Sequence, residues 1–432
     1  MGKKEKAISD FKNHVSSQKV NFYKKYKMDF VMGKRENISS ADIDDNKELI
    51  NLHCNGGVFN LGHRNPQIIE TLTEALSKFD IGNHHFISTE RAKTAKLMSE
   101  LMPSDLDYTI FGVSGGEATD TALKIARSYT KKQKIISVKG GYHGHTGLAL
   151  ATGDEKYRKP FGEELPGFEQ CTFGDIDALE KLIDSNTAAI ILETIPATLG
   201  MPIPTDEYMS SIRKSCDENN ILLILDEVQS GLGRTGKMWG FEHYDIVPDI
   251  VILGKGLSGG IYPISATVIR KSLESVFHDD PFIHISTYGG SELGSIVMRK
   301  VLEMSSDPDF LSHVNEMAYV FKTKIDSLIE KHSGFLVKLR QKGLMMGLEL
   351  KDEISGPALT KAAYDNGLLI IYANNDTKVC QFLPPLIIEE TQIDEIIEKL
   401  DKSLTDAKKL IPLIKAKNVF DKFINPIKQL FS

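Results

Sequence analysis

No apolar run in the 432 residues approaches the roughly 20 needed to span a bilayer. Cysteine is scarce. Cys54, Cys171, Cys216 and Cys380 are scattered, share no metal-ligand spacing, and read as free thiols of a reducing compartment. Positive charge is in deficit: the net charge of -7 removes any electrostatic case for nucleic acid as a partner. No internal repeat or low-complexity tract breaks the chain. The opening residues, Met1-Gly2-Lys3-Lys4-Glu5-Lys6, lack the apolar stretch of a secretory signal, and position 6 lacks the Ser or Thr of a myristoylation site. The expectation is a cytoplasmic protein without a membrane segment. Its 41% hydrophobic and 26% charged residues are an ordinary globular composition, long enough for a full-sized core.

What is present is alternation. Short β-rich runs (Thr109 to Phe111, Ile135 to Val138, Ala188 to Leu192, Ile221 to Leu225, Ile250 to Leu253) are separated by amphipathic stretches. In one of these, Ala118, Ala122, Ile125, Ala126 and Tyr129 share a helical face. The pattern predicts an α/β fold with a mostly parallel sheet covered by helices. Ligands in such sheets lie beyond the carboxyl ends of the strands. Ser114, Tyr142, Glu193, Asp226 and Lys255 follow the five runs in turn. After about Pro308 the helices lengthen. The expected division is an N-terminal segment 1–55 joining a small domain, a large domain 56–306, and a C-terminal small domain 307–432 with an amphipathic tail.

Two glycine-rich stretches invite phosphate chemistry. In Ser114-Gly115-Gly116-Glu117, Ser and Glu have capping-box spacing, and the glycines leave backbone N–H groups open at a helix start. A plain helix cap and an anion cradle both fit. The second stretch, Gly231 to Gly236, matches GxGxxG. A dinucleotide turn requires a helix to begin at the last glycine, but Lys237-Met238-Trp239-Gly240-Phe241 has no helical periodicity. The glycines also begin five residues beyond the strand-ending Asp226. The nucleotide reading fails.

Asp226 and Lys255 stand at the ends of two apolar runs, as a structural ion pair or as two handles on a cofactor with a ring nitrogen and an aldehyde. Around them, Asp226-Glu227-Val228-Gln229-Ser230-Gly231-Leu232-Gly233-Arg234-Thr235-Gly236, Pro248-Asp249-Ile250-Val251 and Leu253-Gly254-Lys255-Gly256-Leu257 resemble the class III aminotransferases. The similarity runs through Asp42-Ile43-Asp44-Asp45, Leu61-Gly62-His63, Ser114 to Ala118, Tyr142-His143-Gly144, Gly343 to Gly347 and Leu383-Pro384-Pro385-Leu386. These are pyridoxal 5′-phosphate (PLP) enzymes of fold type I, the aspartate-aminotransferase-like fold. The resemblance implies that Lys255 forms a Schiff base with the cofactor and shuttles the proton, and that Asp226 pairs with the ring nitrogen. It also implies Val228 on one ring face, Tyr142 on the other, Gln229 at the ring oxygen, and Ser114, Gly115 and Gly116 at the phosphate. Thr287 would reach the neighbouring subunit's phosphate, making a homodimer with shared sites. The glycines of the GxGxxG stretch would shape a loop beside the cofactor. No metal is implied.

Three departures bear on substrate. His145 stands where many members have Arg, Gln381 stands where an Arg clamps the α-carboxylate, and Thr198 falls at the gating glutamate of the ornithine and GABA enzymes. Together they remove a bidentate clamp, its gate and a second cation. The expected partner is therefore an aldehyde, a ketone or a primary amine rather than a standard glutamate/ornithine pair, although Arg91 or a residue near Phe86 offers another anchor. A mutase, lyase or decarboxylase on the same fold is the alternative reaction. A non-catalytic relative is disfavoured by the intact Lys255, Asp226, Gln229 and Thr287. His84 and His85 lack a third metal ligand, His63 is read as fixing backbone, and Glu193 as supporting the cofactor from behind. Beyond Leu410, apolar residues through Phe431 alternate with lysines. Packing on the small domain, docking to a partner and contact with a membrane surface are the three readings, and Pro412 and Pro426 are expected to break the helix.

Overall fold

A computed structural model describes residues 2–44, 46–162 and 165–429, with the side chains of all but 413 and 417–429. All five apolar runs form strands of one seven-stranded sheet. Its order is Tyr108–Gly112, Ser265–Ile269, Ile250–Leu253, Leu222–Asp226, Thr187–Glu193, Lys134–Val138, Phe168–Cys171. Only Ser265–Ile269 runs antiparallel to its neighbours. Thr187–Glu193 is buried at every position, which is why it reads as a continuous apolar run without alternation. Helix Gly115–Thr130 covers one face through Ala118, Ala122, Leu123, Ile125 and Ala126. Tyr129, expected on that face, is 41% exposed, in the last turn of the helix.

Helix Glu292–Ser305 ends the region around the large sheet, and Asp307 caps a 24-residue helix that starts with Pro308 at its first position. That helix, Ser355–Asp365 and the C-terminal helix enclose a second core with the sheet Leu336–Lys342, Met345–Leu350, Asp376–Phe382, Ile371–Ala373. The N-terminal strands Met32–Glu36, Ser39–Asp42 and Glu48–Asn51 form a further sheet closed by Leu368–Leu369. The first fifty residues therefore share hydrogen bonds with the C-terminal region, across more than 300 residues of sequence.

Two of the glycines in Gly231 to Gly236, Gly233 and Gly236, lie against the helix Pro308–Lys331. A Cβ on Gly233 would touch Leu311 and Phe310, and one on Gly236 would collide with Asn315 Oδ1; all three neighbours belong to the helix Pro308–Lys331. Their absent side chains let the loop seat against the small domain. Arg234, fully buried between them, donates to the carbonyls of Leu344 and Pro384 and to Asn60 Oδ1. Arg234→Ala leaves these acceptors unpaired in the seam, each costing about 1–3 kcal/mol. The denaturant midpoint is expected to fall by the equivalent of about 3 kcal/mol or more, and an unchanged midpoint would show that the seam does not depend on this residue.

The last helix runs Glu390–Gln429, through both prolines expected to end it. Leu410, Ile411 and Ile414 pack on the small-domain core, which offsets the roughly 3 kcal/mol cost of an interior proline at 412. The beginning of the tail thus packs on its own domain. The side chains of Leu413, Val419, Phe420, Phe423, Ile424 and Ile427, and residues Leu430 and Phe431 entirely, lie outside the described ones. Among the described residues no helix is long and apolar enough to cross a membrane.

Candidate active site

The carboxyl ends of adjacent parallel strands bring the chemistry together. Asp226 and Glu193 are each the last residue of their strand and stand in register, both buried. Lys255 follows the strand Ile250–Leu253 by one glycine, with φ 42°, in the left-handed region seldom occupied by residues with a Cβ. Burial disfavours its ammonium form, while the charges of Glu193 and Asp226 oppose that; the net effect holds its pKa below the usual lysine value. A nucleophilic amine requires a shift of this kind.

Asp226 is held from two sides. His143 Nδ1 lies 2.8 Å from Oδ2, and the Val228 N–H donates to Oδ1 at 3.0 Å. Burial alone would lower the His143 pKa; the hydrogen bond to Asp226 and the charges of Asp226 and Glu193 raise it above the ordinary value. Nδ1 therefore donates to the Asp226 carboxylate. Along the chain His143 stands out only as a neighbour of Tyr142. Its partner lies 83 residues away, and no spacing rule connects them.

Above Lys255 lies a turn that the sequence reading also misses. Cys54, Asn55, Gly56 and Gly57 have φ values of 49°, 51°, 69° and 104°, four successive residues in the left-handed region. A Cβ on Gly56 would stand 3.0 Å from Lys255 Nζ and 3.0 Å from Gln229 Nε2. Gly56→Val would therefore fill the space over the amine as well as strain the turn. We expect kcat/KM to drop about 100-fold, the cost of displacing a reactive group by about 1 Å, with the unfolding transition still cooperative; a variant with undiminished kcat/KM would refute the role of this gap. Before this turn comes His53, kept neutral by burial and by the Lys255 charge, with its pKa pushed down to about 4.

Ser114 caps helix Gly115–Thr130, its Oγ accepting the Glu117 N–H. The capping box is displaced by one residue: the Glu117 carboxylate takes the N–H of Val113 at 2.6 Å instead of that of the cap. Gly115 and Gly116 lie in the first helical turn, whose N–H groups have no intrahelical acceptor. Val228 sits 3.6 Å from the Cβ positions of both Gly115 and Gly254, and so joins the helix start to the lysine strand. Tyr142 is partly exposed, its backbone N–H held by Glu193 Oε1 at 2.9 Å and its ring edge-on to His145 at 5.0 Å. His145 in turn packs on Tyr157 at 5.3 Å. Burial pushes the Glu193 carboxyl up to about 7. Gln229 Oε1 is buried without a hydrogen-bond partner.

Of the site residues expected from the sequence, Ser114, Gly115, Gly116, Tyr142, Asp226, Val228, Gln229 and Lys255 converge at these strand ends. Thr287 does not join them. It is exposed, in a stretch where His284 meets Thr121 and Lys124 and Gly289 approaches Phe111. Arg91 gives Nη2 to the carbonyls of Asn83 and Phe86, and Thr198 Oγ1 donates to Gly140 O. His63 Nε2 contacts Asn51 at 2.9 Å, and its residue bridges Asn37 through the backbone. The rings of His84 and His85 pack on each other.

A half-buried lysine and a hydrogen-bonded carboxylate thus stand at neighbouring strand ends, with the N-terminus of helix Gly115–Thr130 joined to the lysine strand through Val228. The family model described as Aminotransferase class-III matches residues 22–404. An uncharacterized aminotransferase of Archaeoglobus fulgidus is 52% identical over 397 residues, covering 92% of this chain and 93% of its own. An acetylornithine aminotransferase of Caldanaerobacter subterraneus is 37% identical, covering 90% of this chain and 99% of its own. The crystal structure of ornithine aminotransferase from Toxoplasma gondii superposes with a TM-score of 0.86 at 26% identity, covering 95% of this chain and 96% of that one. The chain belongs to the class III aminotransferase family, PLP-dependent enzymes of fold type I.

Proposed function

We propose that this aminotransferase takes its amino group from a primary amine that is not anchored through an α-carboxylate, and delivers it to an aldehyde or ketone. The observation that carries this reading is the state of the three departing positions. His145 packs between the rings of Tyr142 and Tyr157, the Thr198 hydroxyl is spent on a carbonyl, and Gln381 is a buried neutral amide. A carboxylate would miss a charge-assisted bidentate partner at the clamp position.

PLP fits the residues present: the gap at Gly56, the unpartnered Gln229 Oε1 and the open helix start are places that a ring and a phosphate would fill. When bound, the cofactor supplies an aldehyde for amine capture and a ring that withdraws electrons. Lys255 would be the amine that tethers it and would then carry a proton at Nζ. Asp226, held by His143, would pair with the ring nitrogen. Val228 and Tyr142 would flank the ring, Gln229 would donate an amide N–H to its oxygen, and Ser114, Gly115 and Gly116 would hold the phosphate.

Thr287 is assigned to the neighbouring subunit's phosphate in a homodimer. Exposed Phe86, Ile87, Phe282, Ile283, Ile285 and Tyr288 support that reading, since apolar patches of this extent mark interfaces. A cytoplasmic location accords with four free, buried cysteine thiols. The test of the donor is a half-reaction: purified holoenzyme is mixed with single amines or amino acids and the loss of the bound-cofactor absorption is followed. Simple primary amines are expected to discharge it faster than glutamate or ornithine. The reverse order would overturn the proposal.

A further inference from the structure

The loop that carries Tyr142 and His143 begins on two glycines. Strand Lys134–Val138 ends in a turn closed by the Gly141 N–H on Val138 O at 3.1 Å, with Gly140 at φ 80°. A Cβ on Gly140 would stand 2.7 Å from Leu199 Cδ1, so the turn needs glycine there. Glycine also loses more backbone freedom on ordering than any other residue. Such a turn keeps one geometry only when its peptide groups are held from outside, and four hydrogen bonds supply that hold. Asp154 Oδ1 takes the Gly140 N–H at 2.8 Å, and Glu193 Oε1 takes the Tyr142 N–H at 2.9 Å. Gly140 O accepts two donors, Thr198 Oγ1 at 2.9 Å and Asn375 Nδ2 at 2.8 Å.

Of these four ties, that of Asn375 alone comes from the small-domain sheet. Asn374 and Asn375 form the two-residue turn between Ile371–Ala373 and Asp376–Phe382, where Ala373 pairs with Asp376. The Asn375 amide is itself fixed: its Oδ1 accepts from Lys156 Nζ, and its backbone N–H donates to Thr198 O at 2.9 Å. Beside it, Arg340 Nη1 donates to Gly200 O at 2.6 Å and lies 3.3 Å from Asp376 Oδ2. The hairpin tip therefore grips both the turn at 140 and the segment 198–200. The seam already has a fully buried staple in Arg234. The Asn375 contact, only partly buried, lands instead on a glycine turn two residues before Tyr142.

We propose that Asn375 is a positioning residue for the aminotransferase reaction. By holding Gly140 O it sets where the Tyr142 ring and the His143 imidazole stand, and it makes that placement depend on the small-domain sheet. Asn375 touches no reacting group and acts through Tyr142. The inference rests on the assignment of Tyr142 to the cofactor ring face given above, and adds the residue that keeps this side chain in place.

Asn375→Asp tests it with little change of shape, because the carboxylate keeps the bond from Lys156 but cannot donate to Gly140 O. In the cofactor-free protein, deuterium exchange of the peptide spanning 139–146 is expected to rise about tenfold, the effect of losing one hydrogen bond from a locally opening unit. In the holoenzyme, the circular dichroism of the bound-cofactor band should shift towards that of Tyr142→Ala. The maximal rate of the half-reaction with the fastest donor of the screen above should fall about tenfold, as partial misplacement predicts. Asn374→Ala, at the exposed neighbour in the same turn, should move none of the three; equal effects there would overturn the specific role of Asn375. Unchanged exchange at 139–146 in Asn375→Asp shows that the turn holds itself, and the proposal fails. Raised exchange with the parent's dichroism or the parent's rate also defeats it, since the tie then serves stability alone. If Tyr142→Ala itself keeps the parent's dichroism and rate, the assignment of Tyr142 falls, and this inference with it.

Discussion

Lys255→Ala is expected to abolish covalent attachment of the cofactor and to lower turnover by about 10⁴-fold or more. On the assignment proposed for Lys255, two functions are lost together. The first is the nucleophile that captures the aldehyde, and the second is the group that moves the proton, a contribution of about 10²–10⁴-fold by itself. The fold should survive, because the mutation removes an amine whose charged form is already disfavoured by burial. The thermal midpoint of the cofactor-free variant is therefore expected to equal or exceed that of the cofactor-free parent. Borohydride reduction followed by peptide mapping is the decisive measurement: the parent should carry one adduct, on the peptide containing Lys255, and the variant none. An adduct on another lysine, or undiminished turnover in the variant, would sink the assignment of Lys255 as the tether.

Much of this arrangement can be read along the chain, for a physical reason. Parallel strands buried on both faces have no polar side, so Ala188 to Leu192 and Ile250 to Leu253 stand out as uninterrupted apolar runs. Because ligands gather at the carboxyl ends of such strands, the polar residue after each run is a sound guide to the site. Phe168–Cys171 escapes because it is an edge strand with only one buried residue. Ser265–Ile269 escapes because it breaks the parallel rule, although it is buried throughout.

The parts that stay hidden depend on tertiary distance. The bond between His143 and Asp226 joins the start of one loop to the end of a distant strand. The left-handed run Cys54–Gly57 includes two residues that are not glycine, and Gly56-Gly57 is its only local hint. Pro412 is a helix breaker by propensity, yet here the side chains around it dock on a formed core, and tertiary packing overrides the local cost. The GxGxxG loop shows the same limit: its glycines are legible as a special backbone, but which neighbour comes close (the small domain, not a phosphate) is decided by residues 310, 311 and 315.

Asp226→Asn is the second substitution with a large expected effect, and its consequence is electrostatic. The anion at 226 stabilises positive charge on whatever faces it, and two donors, His143 Nδ1–H and the Val228 N–H, offset the cost of keeping that anion buried. Asparagine removes the charge and can satisfy only one of them, because its amide nitrogen must face the other as donor against donor. Without the carboxylate the largest influence left on His143 is burial, and its pKa is expected to fall below the ordinary histidine value. Loss of a preorganised charge of this kind lowers the rate by about 10²–10³-fold, and we expect the donor half-reaction of Asp226→Asn to slow by that factor. His143→Ala should have a smaller effect, about tenfold, since the carboxylate remains and loses one charge-assisted hydrogen bond. Combined with Asp226→Asn it should cost nothing further, because the histidine acts only through the anion it orients. Single-turnover rates for the two single variants and the double variant close this cycle. If the two effects multiply, His143 acts on the chemistry independently of Asp226, and the pair does not work as a unit.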